Sequence, residues 1–377
     1  MELRILAIVI AAGLLGPLLA AKRSWRIPVV FGELTAGVLL GRTGFGVVDP
    51  SEPMLSFLAE MGFALVMFVA GSHVPLRKGA VVGALPRAVL RVALVAVIAV
   101  GLAVGIAAVF HNPHWPLYAV LMASSSAALA LPVTAALGLT GRDMTQLIPQ
   151  LALADALCII ALPMAIDREH VARAALGALA VVASGAVVAA VLWRLDRVGV
   201  RRRVHDFSED ARLAVELRIS TMVLFALCAL AVTVHVSIML AGFVLGLGIA
   251  AIGNPRRLAK QLFALTEGFL GPIFFVWLGA SLDLRLLGAH PEMIALGVAL
   301  ALGALAAHAA TRAAGQPVAV SALAAAQLGL PIAALQIGQS LHYFLPGEAG
   351  AVVVSALLTV TVAILAAGAL ARRQAPT

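Results

Sequence analysis

One carboxylate stands in an otherwise apolar run: Asp155, in "LALADALCIIALP" (151–163). At the centre of a membrane-length helix an ionised Asp costs about 2.5–3.5 kcal/mol on insertion scales, so it needs a function or a partner. No Lys or Arg is predicted at its depth. A proton or a bound cation can neutralise it, but not readily both at once. Competition of the two for one carboxylate, exposed alternately to two sides, is in itself an exchange mechanism. The alternative is an Asp hydrogen-bonded to Ser124, Ser125 or Ser126 as a link between helices.

Two further segments combine small or polar residues with a mid-span proline: "SSSAALALP" (124–132) and "AAAQLGLP" (324–331). Proline removes a backbone donor and clashes with the preceding turn, so helix breaks are expected at Pro132 and Pro331. Two broken helices at corresponding places point to an ion site between them, with Ser125 and Ser126 beside Asp155 as candidate ion-binding residues and Gln327, with Pro132 and Pro331, belonging to the broken-helix site. Glu33, Glu60 and Glu267 also fall in apolar spans and read as structural or near helix ends, with Glu60 a possible accessory acid. His308 and Arg312 stand one turn apart. They could supply a basic partner to the site, but the simpler reading makes them the cytoplasmic end of their helix. His111 and His114 in "HNPHWP" have metal-ligand spacing, yet an external loop with Trp115 at the interface is the better reading. Cys158 and Cys228 lie inside spans and read as core. No G-x-S-x-G, H-E-x-x-H or paired-aspartate motif supports an enzyme.

The elements that must position these residues follow from composition. Of 377 residues, 62% are hydrophobic and 12% charged, and apolar runs of about twenty residues recur along the whole length, each enough to cross a bilayer. This is an all-α polytopic membrane protein. Division at charged, Pro and Gly clusters predicts thirteen helices near 3–21, 27–42, 53–72, 86–110, 116–138, 145–166, 171–194, 214–233, 235–250, 263–282, 291–311, 317–341 and 347–371. Loops after odd-numbered helices hold 20 Lys and Arg, against 5 on the other side. "RLDRVGVRRRVHDFSEDAR" (194–212) is the richest of them. Because positive loops stay in the cytoplasm, this predicts a cell-membrane protein with its N-terminus outside and its C-terminus inside. The net charge of +8 is then mostly topology and lipid contact rather than a nucleic-acid surface.

Internal repetition adds a second constraint. "TAGVLLG" (35–41) returns as "LAGFVLG" (240–246), "AEMGFALVMFVAGSHVPL" (59–76) as "TEGFLGPIFFVWLGASLDL" (266–284), and "LPVTAAL" (131–137) as "LPIAALQ" (330–336). All three pairs are separated by seven helices. Seven is odd, so partners cross in opposite directions, as in the inverted repeats of many secondary transporters. The reading is a single transporter domain over 1–377, with repeats near 22–166 and 214–371 and a linker helix near 171–194.

The set "IPVVFGELTAGVLLGRTGFG", "FLAEMGFALVMFVAGSHV", "ASSSAALALP", "LADALCIIALP", "LAGFVLG" and "GPIFFVWLGASLDL" resembles, in order and spacing, the membrane domain of monovalent cation:proton antiporters, in particular the Kef-like second branch. The resemblance implies two crossed, broken helices in a bundle that moves against a dimerisation domain, and hence a homodimer. It implies exchange of Na+ or K+ for protons, as in pH homeostasis, with no cofactor and no metal beyond the transported cation. Asp155 falls on the family's ion-carrying aspartate and Ser126 on its hydroxyl position. The chain departs in having Ala154 before the aspartate, Gly303 or a neighbour where several electrogenic members have Lys, and no nucleotide-binding domain after "ARRQAPT". One titrating acid per crossing predicts electroneutral exchange. The alternative is a sodium-coupled organic-solute symporter of the bile-acid-transporter type, although the two broken segments offer little to hold a large solute.

Overall fold

The computed structural model describes residues 3–21, 29–72, 83–167, 171–200, 203–204, 213–234, 236–253, 256–282 and 284–374. Several of the positive residues behind the topology, among them Lys22, Arg77 and Arg201, lie outside these. Every predicted span has a helical counterpart. Among the described residues, ten helices are long and apolar enough to cross a membrane, and Val29–Leu40 and Ile238–Ile252 are shorter apolar helices. The remaining span is the first broken helix. The chain is a multi-pass membrane protein, and it divides into two compact units, 1–73 with 176–283 and 74–175 with 284–377.

The first unit contains α1 (Leu3–Gly13), α2 (Leu15–Ala21), α3 (Val29–Leu40), α4 (Pro53–Ser72), most of α9 (Val171–Arg197), α10 (Val215–Thr233), α11 (Ile238–Ile252), α12 (Arg256–Leu265) and α13 (Gly271–Ser281). A π-helical turn, Thr266–Leu270, joins α12 to α13. Its core is a double backbone contact. A Cβ on Gly37 of α3 would collide with the Val276 carbonyl and the Gly279 backbone of α13, and one on Gly246 of α11 would collide with the Phe68 carbonyl and Gly71 of α4. Only glycine permits such approach, and small residues at helix contacts are how membrane helices pack without a hydrophobic drive. The recurring "AG-x-x-LG" motif thus packs on α13 from α3 and on α4 from α11. Phe63 stacks on Phe274 at 4.7 Å, and Trp277 Nε1 donates to the Pro50 carbonyl at 2.9 Å.

The second unit contains α5 (Leu85–Val109), α6 (Trp115–Ala123), α7 (Ala127–Ala136), α8 (Arg142–Ile166), α14 (Leu284–Ala289), α15 (Pro291–Ala309), α16 (Val318–Ala324), α17 (Gly329–Ser340) and α18 (Glu348–Gln374). Proline in the first turn starts α5, α6 and α15, where its missing N–H would have had no intrahelical acceptor. α6 and α7 are the halves of one broken span, and α16 and α17 of another. The breaks do not fall at the prolines. They lie at 124–126 and 325–328, while the helical backbone runs through Pro132 and Pro331 is the third residue of α17. Pro331 sits in the first turn of α17, where it removes only an orphan donor, and at the first break the serine triplet competes for backbone hydrogen bonds and ends α6; Pro132, the sixth residue of α7, leaves the helix unbroken.

Candidate functional site

α8 is the hub of the second unit, packing against α6, α7, α16 and α17, all four halves of the broken helices. Its buried residues Leu147, Gln150, Leu151, Ala154, Asp155, Cys158, Ile159 and Leu162 recur at helical spacing and form the stripe that faces its neighbours. Asp155 is 6% exposed and accepts a hydrogen bond from the Ala127 backbone N–H. Ala127 is the first residue of α7, so the carboxylate sits at the start of a half-helix, where orphan donors and the helix dipole favour an anion.

The first break is lined by hydroxyls. Ser124, Ser125 and Ser126 are all buried; Ser124 Oγ donates to the Leu121 carbonyl at 2.8 Å, and the Ser126 carbonyl accepts from Ala130 at 2.9 Å. Ser125 Oγ lies 3.4 Å from Nε2 of His308, whose Nδ1 is 3.0 Å from the Ala304 carbonyl. A carbonyl can only accept, so Nδ1 carries the proton and Nε2 is left to accept from Ser125. That turns the serine hydrogen away and leaves oxygen lone pairs for a cation. His308 is therefore no end marker: it is 1% exposed, because α15 runs on through a 3₁₀ turn to Ala314. Arg312, exposed, marks that end. Gly303 packs on Met122 of α6, so a larger residue there would have to displace that side chain.

The second break offers an amide. Gln327 is 1% exposed, and neither its Oε1 nor its Nε2 has a hydrogen-bond partner among the described residues. Pro331 is buried beside it in α17. Glu60, on α4, belongs to the first unit and is exposed.

Between Asp155 and the start of α8 runs a polar chain that sequence reasoning missed. Gln316 Nε2 donates to Gln150 Oε1 at 3.0 Å, and Arg91 donates to Gln146 Oε1 at 3.0 Å and the Ala314 carbonyl at 3.3 Å. Arg91, counted above with a loop, is 3% exposed inside α5. The three glutamines are uncharged and alter no topology count, so only the i, i+4 spacing of Gln146 and Gln150 on the Asp155 helix could have flagged them.

Two discontinuous helices packed on a third that buries a mid-span acid define a secondary-transporter architecture; family and fold are those of a transporter rather than an enzyme. The chain belongs to the family described as sodium/hydrogen exchanger, transmembrane, whose model matches residues 8–373. It is 24% identical over 374 residues to the putative Na(+)/H(+) antiporter YjbQ of Bacillus subtilis, across 94% of this chain and 60% of that protein. The chain thus spans about 60% of that relative's length. It is 26% identical over 312 residues to the Na(+)/H(+) antiporter NhaS4 of Synechocystis, across 75% and 73% of the two chains. In fold it is similar to the sodium proton antiporter MjNhaP1 of Methanocaldococcus jannaschii, with a TM-score of 0.65, 15% identity and 98% of both chains covered.

Proposed function

We propose that this protein exchanges a monovalent cation, Na+ or K+, for protons across the cell membrane by alternating access, with Asp155 holding either the cation or the proton. The observation that carries the reading is the place of Asp155: a buried carboxylate at the first residue of α7, on the helix that touches all four half-helices. A hard cation takes oxygen ligands, and the Asp155 carboxylate, the Ser125 and Ser126 oxygens and the Gln327 amide oxygen are the donors these elements offer. Pro132 and Pro331 stiffen the half-helices that follow the breaks. Protonation of Asp155 removes the charge that attracts the ion, so the two occupants exclude each other. Each leaves the site with the same net charge, and exchange is electroneutral.

The neutral tautomer inferred for His308 supports this count, since the residue orients Ser125 without adding a charge. The N-terminus is outside and the C-terminus cytoplasmic, on the charge bias of the loops, and the protein works as a homodimer, on the family resemblance. The experiment is exchange by purified protein in proteoliposomes. Parent protein dissipates a pH gradient when Na+, Li+ or K+ is added, and Asp155→Asn does not, while keeping its fold by melting. Exchange retained in the Asn variant overturns the role of Asp155. A rate that changes steeply with clamped membrane potential, measured with Na+ or Li+, overturns the stoichiometry.

A further inference from the structure

At the end of α6 away from the serine break lies another buried carboxylate that the exchange site does not use. Glu348, the first residue of α18, is wholly buried. Its Oε1 accepts from the Tyr118 hydroxyl at 2.6 Å, its Oε2 accepts from the Leu345 backbone N–H at 2.8 Å, and His114 Nδ1 is 2.9 Å from both oxygens. His114 is the N-cap residue of α6 and Tyr118 lies one turn further in. One carboxylate therefore fastens the whole first turn of the half-helix to α18. The His114 ring is itself held, stacked on Tyr343 at 3.9 Å, with its backbone N–H on Asn112 Oδ1 at 2.9 Å.

Charges on the other elements packed here are few. On α15, Glu292 pairs with His290 at 2.9 Å, and the His290 Cβ approaches the backbone at Gly347; α14 carries Arg285. His111 and His342 occupy the turns before α6 and after α17, both at positive φ. Histidine is the side-chain type that serves as a physiological-pH switch, and among the described groups in contact with the Glu348 carboxylate His114 is the one histidine.

Tyr118 and Ser125 are seven residues apart, about 10 Å along the chain at helical rise, so the axial position of α6 at Glu348 is passed directly to the break. A charged His114 makes the contact an ion pair; a neutral one leaves a weaker hydrogen bond. We propose that Glu348, His114 and Tyr118 form a proton-sensitive positioning site for α6, through which the charge on His114 tunes cation affinity at the break without touching the ion. In its effect on transport the inference rests on the exchange reading above; the site itself does not.

The test compares parent, His114→Gln, which keeps a donor but never a charge, and Tyr118→Phe, which removes only a hydroxyl. In proteoliposomes the KM for Na+ of His114→Gln is close to the parent's at about pH 8.5 and about tenfold higher at about pH 5.5, with kcat little changed. Tyr118→Phe raises KM by a similar factor at both. A ratio for His114→Gln that is constant with pH, or a Tyr118→Phe ratio that varies just as much, overturns the proposal. Thermal melting in detergent tests the pair apart from transport: His114→Gln melts about 2–4 °C below the parent at about pH 5.5 and by less than half that difference at about pH 8.5. An unchanging difference overturns the positioning pair. A parent that exchanges no cation overturns only the exchange reading, since the melting result still decides the pair.

Discussion

The two breaks are built on opposite principles. At 124–126 the polar groups are committed: Ser124 to its own helix, Ser125 to His308, and the amide of Ala127 to Asp155. At 325–328 three of the four residues are apolar, and the fourth, Gln327, is buried with both ends of its amide unpaired. A buried amide without partners costs about 1–3 kcal/mol. The first break is organised around the protein's own groups, and the second keeps a polar group in reserve for something that arrives.

That contrast can be broken most violently at the acid. Asp155→Asn should lower exchange by about 100-fold or more, because the carboxylate is what both ions compete for; a residual rate near the parent's would leave the first break with no special part. Competition has its own signature in pH. Protons oppose cation binding, so as pH falls through the range where Asp155 titrates, the apparent KM for Na+ should climb by up to about tenfold per unit while the limiting rate is approached at higher Na+. A KM flat with pH would mean that the two ions bind different groups.

Gln327→Leu sharpens the contrast from the other side. Removing an unsatisfied amide should raise the melting temperature by about 2–4 °C yet raise the KM for Na+ by about tenfold, a gain of stability at the expense of function. If the variant melts lower, the amide is satisfied in the folded protein and the reserve does not exist. Ser125→Ala should raise KM by about threefold, since one neutral oxygen ligand and one hydrogen bond are lost. The smallest effect belongs to Pro331→Ala, within about twofold in rate, because a first-turn proline holds no hydrogen bond that the helix needs. A large loss there would return the break to the proline.

Much of this could be read before any coordinates. The spans follow from bilayer thickness, and Asp155 stands out because a lone acid in an apolar helix has no cheap explanation. The segments of the first two sequence matches are those that pack together, α3 on α13 and α11 on α4. What stayed hidden did so for physical reasons. Pro132 and Pro331 are the loudest breakers in their segments, but Ser124 to Ser126 and Gln327 hold the breaks, and serine is common enough in membrane helices to attract little notice. Hydropathy puts His308 at a helix end because it cannot see a 3₁₀ continuation. Glu348 gave no signal at all: an acid opening a helix is what the dipole favours anyway, and its partners His114 and Tyr118 lie more than 200 residues away.

One difference between the two matching segments, 59–76 and 266–284, also leaves its trace in the first unit. Glu60 and Gly71 are eleven residues apart, whereas their counterparts Glu267 and Gly279 are twelve apart. An uninterrupted α-helix would carry the extra residue forward as a rotation of about 100°, turning Gly279 away from Gly37. The π-turn at Thr266–Leu270 takes up one residue within a single turn, and Gly279 still meets Gly37 as Gly71 meets Gly246. The turn absorbs the extra residue at the point where a helix can widen instead of twist.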